Sequence, residues 1–464
     1  MIVSSPGEPC TSLPATIFLT QSAMKNLALS ISLLMAFSAY SAEQMPIIQT
    51  QYTADPAPMV YNDTIYLYTS HDEDDAEGYG FKMQDWLLYT STDMVNWTGH
   101  GPVASLKDFE WVKRDNGAWA IQVVERNGRF YMYCPIHGNG IGVLVADSPY
   151  GPFTDPIGKP LVWQKEHWND IDPTVLVDDD GQAYMYWGNP ELYYVKLNED
   201  MVSYSGEIHK FDKAPLHYQE GPWLFKRDSR YYLAFASTCC PEGIGYAMSD
   251  NPEGPWETRG YIMAPTERTR GNHPGIIEYK GKNYVFGHSY DILRLLTPDH
   301  HERRSVNAAE MRFNPDGTIA EVPYWKDVEL VQIEPLDPYR RVEAETMAWG
   351  FGLKTRPCGS RNMAVTDVDN GEYLCVKGVD FGSRGAKKFI ASVASEKGGS
   401  RITIRLDAKD GKVVGELKVP STGSFDDYKV VDCKVDKIRG IHDFYLTFEG
   451  DGNGLLNIDY WKFK

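Results

Sequence analysis

The protein has 464 residues, of which 42% are hydrophobic and 24% charged, and its formal net charge is -18. A chain of this length and hydrophobicity is not intrinsically disordered and is expected to form two domains. The acidic balance excludes a nucleic-acid backbone as the main partner, and no segment is long and apolar enough for a stable membrane span. The negative charge lies in residues 1–340, because basic residues slightly outnumber acidic ones in residues 341–464.

The first 41 residues are interpreted as an export signal region whose true start is Met24. An apolar run from Leu27 to Tyr40 follows a lysine and is too short to cross a bilayer. The small residues Ala39 and Ser41 have the spacing that a signal peptidase needs, which predicts cleavage after Ser41. These features predict an exported protein, periplasmic or extracellular.

Seven cysteines are too few for a disulfide framework, and their spacing does not match a zinc site. Cys239 and Cys240 are adjacent; two ordinary thiols are expected there, with a vicinal disulfide as the alternative. One pair among Cys358, Cys375 and Cys433 could bridge the C-terminal part of the chain.

One pattern recurs five times between residues 46 and 330. Each copy has a leading polar or aromatic residue, an apolar run, a tight turn and an aromatic-rich segment. The copies are about 50 residues apart, which is typical of the four-stranded blades of a β-propeller. The sequence therefore predicts an all-β protein that begins with a five-bladed β-propeller. The leading residues are Asp55, Trp119, Asp172, Glu220 and His273.

These leading residues should meet in one pocket, because the first strand of each blade lines the propeller axis. Three of them are acids, and neighbouring carboxylates raise one another's pKa. Cleavage of a glycosidic bond needs one protonated carboxyl for the leaving oxygen and one carboxylate that activates water, and a third can hold the proton on the acid. Trp119 offers a flat face to a sugar ring, and His273 offers a polar contact on the axis. Each acid alone is also compatible with ordinary turn chemistry.

Residues 46–330 resemble glycoside hydrolase family 43, whose members are five-bladed propellers that hydrolyse arabinose and xylose linkages of plant cell walls. The matching motifs occur in the family's order. They are Asp55-Pro-Ala-Pro, Ile171-Asp172-Pro-Thr with Asp178-Asp-Asp-Gly-Gln-Ala-Tyr-Met-Tyr-Trp-Gly188, Glu220-Gly-Pro-Trp, Asn272-His-Pro-Gly-Ile276 and Arg304-Ser-Val306.

The resemblance implies a role for each motif. Asp55 resembles the general base, Glu220 the general acid, and Asp172 the acid that orients Glu220 and modulates its pKa. Arg304 resembles a residue that contacts the bound sugar, and His273 resembles the axial residue near a calcium ion or a water. No cofactor is implied for catalysis. Family members invert the anomeric centre, so the carboxyl groups of Asp55 and Glu220 should stand about 6.5–9.5 Å apart.

Residues 331–340 contain two prolines and are interpreted as a linker. Short alternating segments in residues 341–464 predict a β-sandwich of the jelly-roll type. This part resembles carbohydrate-binding module family 6. The matching segments are Val342-Glu-Ala-Glu345, Asn370-Gly-Glu-Tyr-Leu, Gly378-Val-Asp-Phe-Gly382 and Asn457-Ile-Asp-Tyr-Trp-Lys-Phe463.

The second resemblance implies a structural calcium ion in the C-terminal domain. Glu343, Glu345 and Asp459 resemble the ligands, and hard oxygen donors from both ends of the domain would lock the sandwich. The alternative is that Glu343 and Glu345 only face solvent on an edge strand. Trp349 is a candidate for stacking on a sugar, and core packing explains it equally well.

These observations predict an inverting glycoside hydrolase that acts on hemicellulose, with a plant cell-wall polysaccharide or oligosaccharide as its partner. An α-L-arabinofuranosidase acting on arabinoxylan or arabinan is the first expectation, because the C-terminal domain is of the binding-module type. A β-xylosidase and an enzyme that cleaves within arabinan are the alternatives. A carbohydrate-binding propeller without activity is the alternative of another class, but binding alone needs no protonated carboxyl. The oligomeric state is not indicated.

Overall fold

The structure is a computed structural model, and it describes residues 46–165, 169–266, 269–359 and 362–464. The predicted export signal lies outside these ranges. The described chain is nearly all β, with short 3-10 turns and one helix, α1 (Asp291–Leu296). None of the described helices is long and apolar enough to cross a membrane.

Five antiparallel sheets confirm the predicted five-bladed propeller. The blades contain, in chain order, β1 (Tyr52–Tyr61), β2 (Thr64–Asp72), β3 (Asp85–Ser91) and β4 (Trp97–Ser105); β5 (Gln122–Arg126), β6 (Arg129–Ile136) and β7 (Gly140–Ala146); β8 (Thr174–Val177), β9 (Ala183–Trp187), β10 (Tyr193–Leu197) and β11 (Tyr204–Lys210); β12 (Tyr218–Arg227), β13 (Arg230–Ser237), β14 (Gly243–Ser249) and β15 (Glu257–Met263); β16 (Gly275–Tyr279), β17 (Lys282–Ser289) and β18 (Ser305–Met311).

The first two strands of each blade form a hairpin, as the repeated turns predicted. Between β5 and β6, Asn127 and Gly128 have φ angles of 55° and 78°, and a two-residue turn of this hand matches the twist of the paired strands. Large side chains then fill the space between neighbouring blades. Trp86, Phe130 and Trp325 belong to one buried cluster of this kind. The aromatic-rich segments of the repeats are therefore core strands.

The C-terminal residues form a two-layered antiparallel sandwich with its own buried core. Its layers follow the orders β21-β24-β29-β26-β27 and β28-β25-β30-β23-β22, and β27 and β28 connect them. The strands are β19 (Val342–Glu343), β20 (Thr346–Met347), β21 (Trp349–Phe351), β22 (Lys354–Pro357), β23 (Met363–Val368), β24 (Tyr373–Asp380), β25 (Ala386–Ala394), β26 (Arg401–Leu406), β27 (Lys412–Lys418), β28 (Lys429–Ile438), β29 (Ile441–Glu449) and β30 (Leu456–Phe463).

The sandwich and the propeller are joined by hydrogen bonds. Strand β20 extends the first blade by pairing with β4, where the Thr98 and Thr346 hydroxyls lie 2.7 Å apart. The Asn96 side chain donates to the Lys377 carbonyl at 3.0 Å and accepts from the Lys377 amide at 2.9 Å. The two parts therefore hold a fixed orientation. The boundary at residues 331–340 stays a prediction.

Candidate active site

A cavity of about 500 Å³ receives residues from all five blades. All five leading residues of the repeats line it, and so does Arg304. The equivalent positions in the repeats therefore converge, as the propeller geometry predicted.

Local irregularities of the backbone direct the acids into this cavity. The pairing of β1 with β2 shifts register at Asp55, whose φ is 51°. Asp172 precedes β8 and has a φ of 58°. The pairing of β12 with β13 shifts register on both sides of Glu220. A β-bulge changes the direction in which a side chain points. A left-handed backbone conformation at a residue other than glycine costs conformational energy, and such residues are concentrated at functional sites.

Asp55 is held in its ionised form. Its carboxylate accepts a hydrogen bond from Nη1 of Arg304 at 3.1 Å, and Nδ1 of His273 lies 3.5 Å from the same oxygen. Burial acts to raise the pKa of Asp55, but the charge of Arg304, followed by that of His273, lowers it below its ordinary value. The lowered pKa keeps Asp55 ionised, and only the ionised carboxylate can accept a proton from water.

The pKa of Asp172 is raised. Its side chain is 3% exposed, and burial is the main cause that raises its pKa to about 8. The charges of Glu220 and Asp55 act in the same direction, whereas His273 and the amide of Gly221 oppose them. That amide donates to Oδ2 of Asp172 at 3.2 Å. Asp172 therefore binds a proton more readily than an ordinary aspartate.

His273 lies between the three acids. Its Nε2 is 3.7 Å from Oδ2 of Asp172 and 3.8 Å from Oε1 of Glu220, while its Nδ1 faces Asp55. Burial acts to lower the pKa of His273, but Asp172, followed by Asp55 and Glu220, outweighs burial and raises it to about 10. Gly221 makes room for the ring, since a Cβ there would lie 2.6 Å from it. This contact explains why glycine follows Glu220.

Glu220 is the most accessible of the three acids. Its side chain is 20% exposed, against 4% for Asp55. The amide of Asn189 donates to Oε2, and Gln219 in turn donates to Asn189 at 3.0 Å. One oxygen of Glu220 is hydrogen-bonded to Asn189, and the side chain is partly exposed to the cavity. The carboxyl group can therefore reach a leaving oxygen there.

Residues 44–319 match the model of the glycosyl hydrolases family 43, and residues 343–464 match that of carbohydrate binding module family 6. The chain belongs to glycosyl hydrolase family 43. An arabinoxylan arabinofuranohydrolase of Bacillus subtilis (strain 168) is 35% identical and covers 94% of this chain and 97% of its own length. A crystal structure of a family 43 arabinoxylan arabinofuranohydrolase from Bacillus subtilis in complex with cellotetraose has a TM-score of 0.79 and 33% identity. It covers 91% of this chain and 97% of its own.

A xylosidase/arabinosidase of Bacteroides ovatus is 31% identical over 60% of this family 43 chain and 97% of its own length. The resemblance drawn from the sequence motifs is therefore confirmed for both parts of the chain. This family 43 chain is a glycosidase, as predicted.

Two acids at this family 43 site did not stand out in the sequence: Glu242 lines the cavity, and Asp72 lies behind Arg304. Asp72 ends β2, and its two oxygens accept from Nε and Nη2 of Arg304, each at 2.9 Å. Glu242 lines the cavity and is 1% exposed. Asp72 lies in an acidic stretch that resembles a surface loop, and Glu242 lies outside the repeat pattern. Only the closed ring brings them to the axis.

Glu242 follows a disulfide bond that the sequence analysis did not expect. Cys239 and Cys240 are joined to each other, so the expectation of two ordinary thiols was wrong. Cys358 and Cys433 are free thiols, and each bridge suggested for the C-terminal part would need one of them, so that bridge is absent. The disulfide crosslinks a turn between β13 and β14 that forms part of the pocket wall.

Trp119 forms another part of the wall of this family 43 pocket. Its ring packs edge-on against Phe81, with centroids 5.8 Å apart, and against His137 at 5.6 Å. These two ring contacts fix the orientation of the Trp119 indole in the pocket wall. Contact of Trp119 with a sugar stays a prediction.

Asp172, Glu220 and His273 could hold a cation on the propeller axis. One ligand atom each from these residues lies within 4.8 Å of the others. A calcium ion at this place stays a prediction.

One observation in the second domain fits a cation. Oε2 of Glu345 is buried without a hydrogen-bond partner among the described residues, and a carboxylate oxygen is the kind of ligand that calcium prefers. Arg341 binds the other two carboxylates, Glu343 at 2.7 Å and Asp459 at 2.9 Å. The calcium ligand set Glu343, Glu345 and Asp459 stays a prediction.

Proposed function

We propose that this enzyme is an inverting α-L-arabinofuranosidase that removes arabinose from arabinoxylan or arabinan outside the cytoplasm. The observation that carries the proposal is the gathering of Asp55, Asp172 and Glu220 around His273 in one cavity. The Bacillus subtilis relative that shares both parts of the chain is an arabinoxylan arabinofuranohydrolase, which supports the choice of sugar and polymer.

In the proposed reaction, Asp55 is the general base. It takes a proton from a water molecule while the water oxygen bonds to the anomeric carbon. The guanidinium of Arg304 keeps Asp55 ionised and ready to accept that proton. The water approaches the face of the sugar opposite the leaving group, so the product has the inverted configuration.

Glu220 is the general acid in this reaction. It donates its proton to the glycosidic oxygen as the bond to the anomeric carbon breaks. Its accessible position suits contact with a departing polymer chain, and Asn189 fixes its orientation. Asp172 lies beside Glu220, since Nε2 of His273 is 3.7 Å from the first and 3.8 Å from the second, and it serves to orient Glu220. The imidazole ring of His273 lies between Asp55 and Glu220, with Nδ1 near Asp55 and Nε2 near Glu220.

A β-xylosidase is the second candidate. The Bacteroides ovatus relative is a xylosidase/arabinosidase and matches 60% of the chain. Arabinofuranose and xylopyranose both present neutral hydroxyl groups, and the gathered acids do not distinguish them. The C-terminal module favours the first candidate, because an enzyme that removes side chains works on a polymer.

We also propose that the C-terminal module binds polysaccharide in a cleft of about 410 Å³. Phe425 and Tyr428 line this cleft, together with Asn457 and Asp367. Aromatic rings beside amide and carboxyl groups suit the apolar faces and hydroxyl groups of sugars. Trp349 is instead buried in a cluster of other aromatic residues, so core packing accounts for it.

The calcium ion proposed for this module would be held by Glu343, Glu345 and Asp459. When bound, it would neutralise the three carboxyl groups and tie β19, near the start of the module, to β30 at its end. Strand β19 already pairs with β30 through Val342 and Trp461. The ion would therefore strengthen an existing junction, and catalysis would not require it.

The proposed function is tested by comparing hydrolysis of nitrophenyl α-L-arabinofuranoside, nitrophenyl β-D-xylopyranoside, arabinoxylan and arabinan. Wild type should release arabinose from the polymers, and NMR should show the inverted anomer first. Glu220→Gln should hydrolyse the polymers about 10²–10⁴-fold more slowly, whereas Glu253→Gln, in the same blade but outside the cavity, should keep the wild-type rate. Preference for the xylopyranoside would favour the xylosidase. No hydrolysis of any substrate would favour a binding propeller.

A further inference from the structure

The backbone amide of Asp55 lies outside the ladder that joins β1 to β2. Ala54 pairs with Ser70 and Ala57 pairs with Tyr68, and the register shifts between these pairs, so that Asp55 has no partner residue in β2. Asp55 is also buried. A buried amide that leaves a ladder needs another acceptor, because an unpaired one costs free energy comparable to a lost hydrogen bond.

His288 supplies that acceptor. It lies near the end of β17, in the last blade, and is fully buried. The Asp55 amide donates to its Nδ1 at 3.5 Å, whereas Oδ1 of Asp55 is 3.9 Å from Nδ1 and too far for a hydrogen bond. On the other side of the ring, Nε2 lies 2.8 Å from the carbonyl oxygen of Arg270. The ring therefore bridges the first blade and the segment that leads to His273.

These two partners determine which ring nitrogen carries the hydrogen. A carbonyl oxygen can only accept, so Nε2 is protonated, and a backbone amide can only donate, so Nδ1 presents its lone pair. Both contacts therefore require the same neutral tautomer of His288. The surroundings favour the neutral ring as well. Burial, followed by the charge of Arg304, lowers the pKa of His288 to about 3, while Asp55 and the Arg270 carbonyl oppose the change.

The strand around His288 is held firmly in place. Its amide donates to Oδ1 of Asn272 at 3.0 Å, and its carbonyl accepts from Nε1 of Trp325 at 3.2 Å. Gly287 makes room for both side chains, because a Cβ there would lie 2.4 Å from Oδ1 of Asn272 and 2.5 Å from the Trp325 ring. The imidazole is therefore a rigid support for the Asp55 amide.

We propose that His288 is a positioning residue for the reaction, which holds the backbone of Asp55 through Nδ1 and so directs the carboxylate toward the attacking water. The inference rests on the proposed function, in which Asp55 is the base. The φ of 51° at Asp55 sets the direction of its side chain, and such a conformation persists only where the surroundings hold it. A displacement of about 1 Å can slow a reaction about 10²-fold. His288 does not itself line the cavity, so its loss should affect kcat rather than sugar binding.

Two substitutions separate the two contacts of the ring. His288→Gln places an amide nitrogen near the position of Nε2, so it can still donate to the Arg270 carbonyl but leaves the Asp55 amide without its acceptor. His288→Asn places an amide oxygen near the position of Nδ1, so it keeps that acceptor and loses the donor. His100→Gln is the matched control, because His100 is a half-buried histidine outside the cavity whose Nε2 lies 2.7 Å from the Thr90 hydroxyl.

The measurement is kcat and KM on the nitrophenyl glycoside that wild type hydrolyses better, with thermal melting of each variant. His288→Gln should lower kcat at least about tenfold and leave KM close to the wild-type value. His288→Asn should recover part of the lost kcat, and His100→Gln should keep the wild-type kcat. A folded His288→Gln variant with the wild-type kcat would overturn the inference. Equal losses of kcat in the two His288 variants would do the same, because the ring would then act by packing alone.

Nitrogen NMR of wild type with ¹⁵N-labelled histidine tests the tautomer without relying on hydrolysis. The signals of His288 are assigned by their loss in whichever His288 variant folds. Nε2 should carry the hydrogen and Nδ1 should be unprotonated near neutral pH. A hydrogen on Nδ1 would overturn the inference, since Nδ1 could not then accept from Asp55. Wild type that hydrolyses neither glycoside would contradict the proposed function instead, and the NMR result would still decide whether His288 holds the Asp55 amide.

Discussion

Nη1 of Arg304 lies 3.1 Å from Oδ1 of Asp55, at the buried end of the catalytic cavity. The opposite side of the same guanidinium is held at two points by Asp72. Arg304 keeps its positive charge at any working pH, because the pKa of a guanidinium group is far higher. The planar guanidinium also forms two parallel hydrogen bonds with a carboxylate, and these fix its position. The pair explains how a fully buried aspartate stays ionised.

Replacing Arg304 with glutamine should raise the pKa of Asp55, because burial would then be less opposed. A base works only when ionised, so the acidic limb of the pH profile of kcat/KM should move to higher pH. Arg304→Lys, which keeps the charge, should move the limb less. An acidic limb at the same pH in Arg304→Gln would show that Asp55 is not the base. The glutamine variant should also melt lower, since Asp72 loses its partner.

Replacing Asp172 with asparagine should stabilise the protein increasingly as pH rises. The pKa of Asp172 is about 8 in the folded protein and about 3.9 in an unfolded chain. The folded state therefore binds more protons between these values, and its stability falls as pH rises through them. Asparagine has no such proton to lose. The difference in melting temperature between Asp172→Asn and wild type should grow by at least about 2 °C between about pH 5 and about pH 8. Asp180→Asn, in an exposed turn, should show a constant difference.

Replacing Glu220 with glutamine should slow hydrolysis according to the leaving group. A general acid contributes about 10²–10⁴-fold to the rate, and this contribution matters most when the departing oxygen is basic. Release of arabinose from arabinoxylan should therefore fall more than release of a dinitrophenol from an activated arabinofuranoside. Equal losses on the two substrates would indicate that Glu220 binds the sugar without donating a proton. Glu253→Gln is the control.

Calcium should raise the melting temperature of the protein, and a chelator should lower it. A ligand that binds only the folded state stabilises that state in proportion to the logarithm of its concentration. Glu345→Gln should abolish the response, because glutamine cannot neutralise the ion. Glu449→Gln, in an exposed ion pair with Arg401 of the same module, should retain it. A calcium response that is identical in wild type and Glu345→Gln would place the ion elsewhere.

Replacing Phe425 with alanine should weaken binding to insoluble arabinoxylan, because an aromatic face of the module's cleft is lost. Activity on a soluble nitrophenyl glycoside should not change, since that substrate needs only the propeller pocket. A pull-down with the polymer and a colorimetric assay measure the two effects separately. Phe351→Ala, at an exposed ring outside this cleft, is the control for lost aromatic surface. Unchanged retention of Phe425→Ala on the polymer would exclude this cleft as the binding site.

The sequence alone determined the blades and five positions on the axis. Hairpin turns and alternating apolar residues are local signals, so each repeat specifies its own sheet. Because the repeats are equivalent, Asp55, Trp119, Asp172, Glu220 and His273 had to reach equivalent places once the ring closed. Residue chemistry at those places was enough to indicate glycoside hydrolysis.

Only the tertiary structure decided the ionisation of the acids and the remaining members of the site. The pKa of a buried carboxyl depends on distances to charges that come from other blades, and no local pattern encodes these distances. Asp72 and Glu242 were missed for this reason, since each acts through a neighbour far away in the chain. The Cys239–Cys240 disulfide and the burial of Trp349 likewise depend on tertiary contacts that the local sequence does not specify. Sequence periodicity fixes which residues point toward the axis, whereas packing across blades fixes what charge each of them carries.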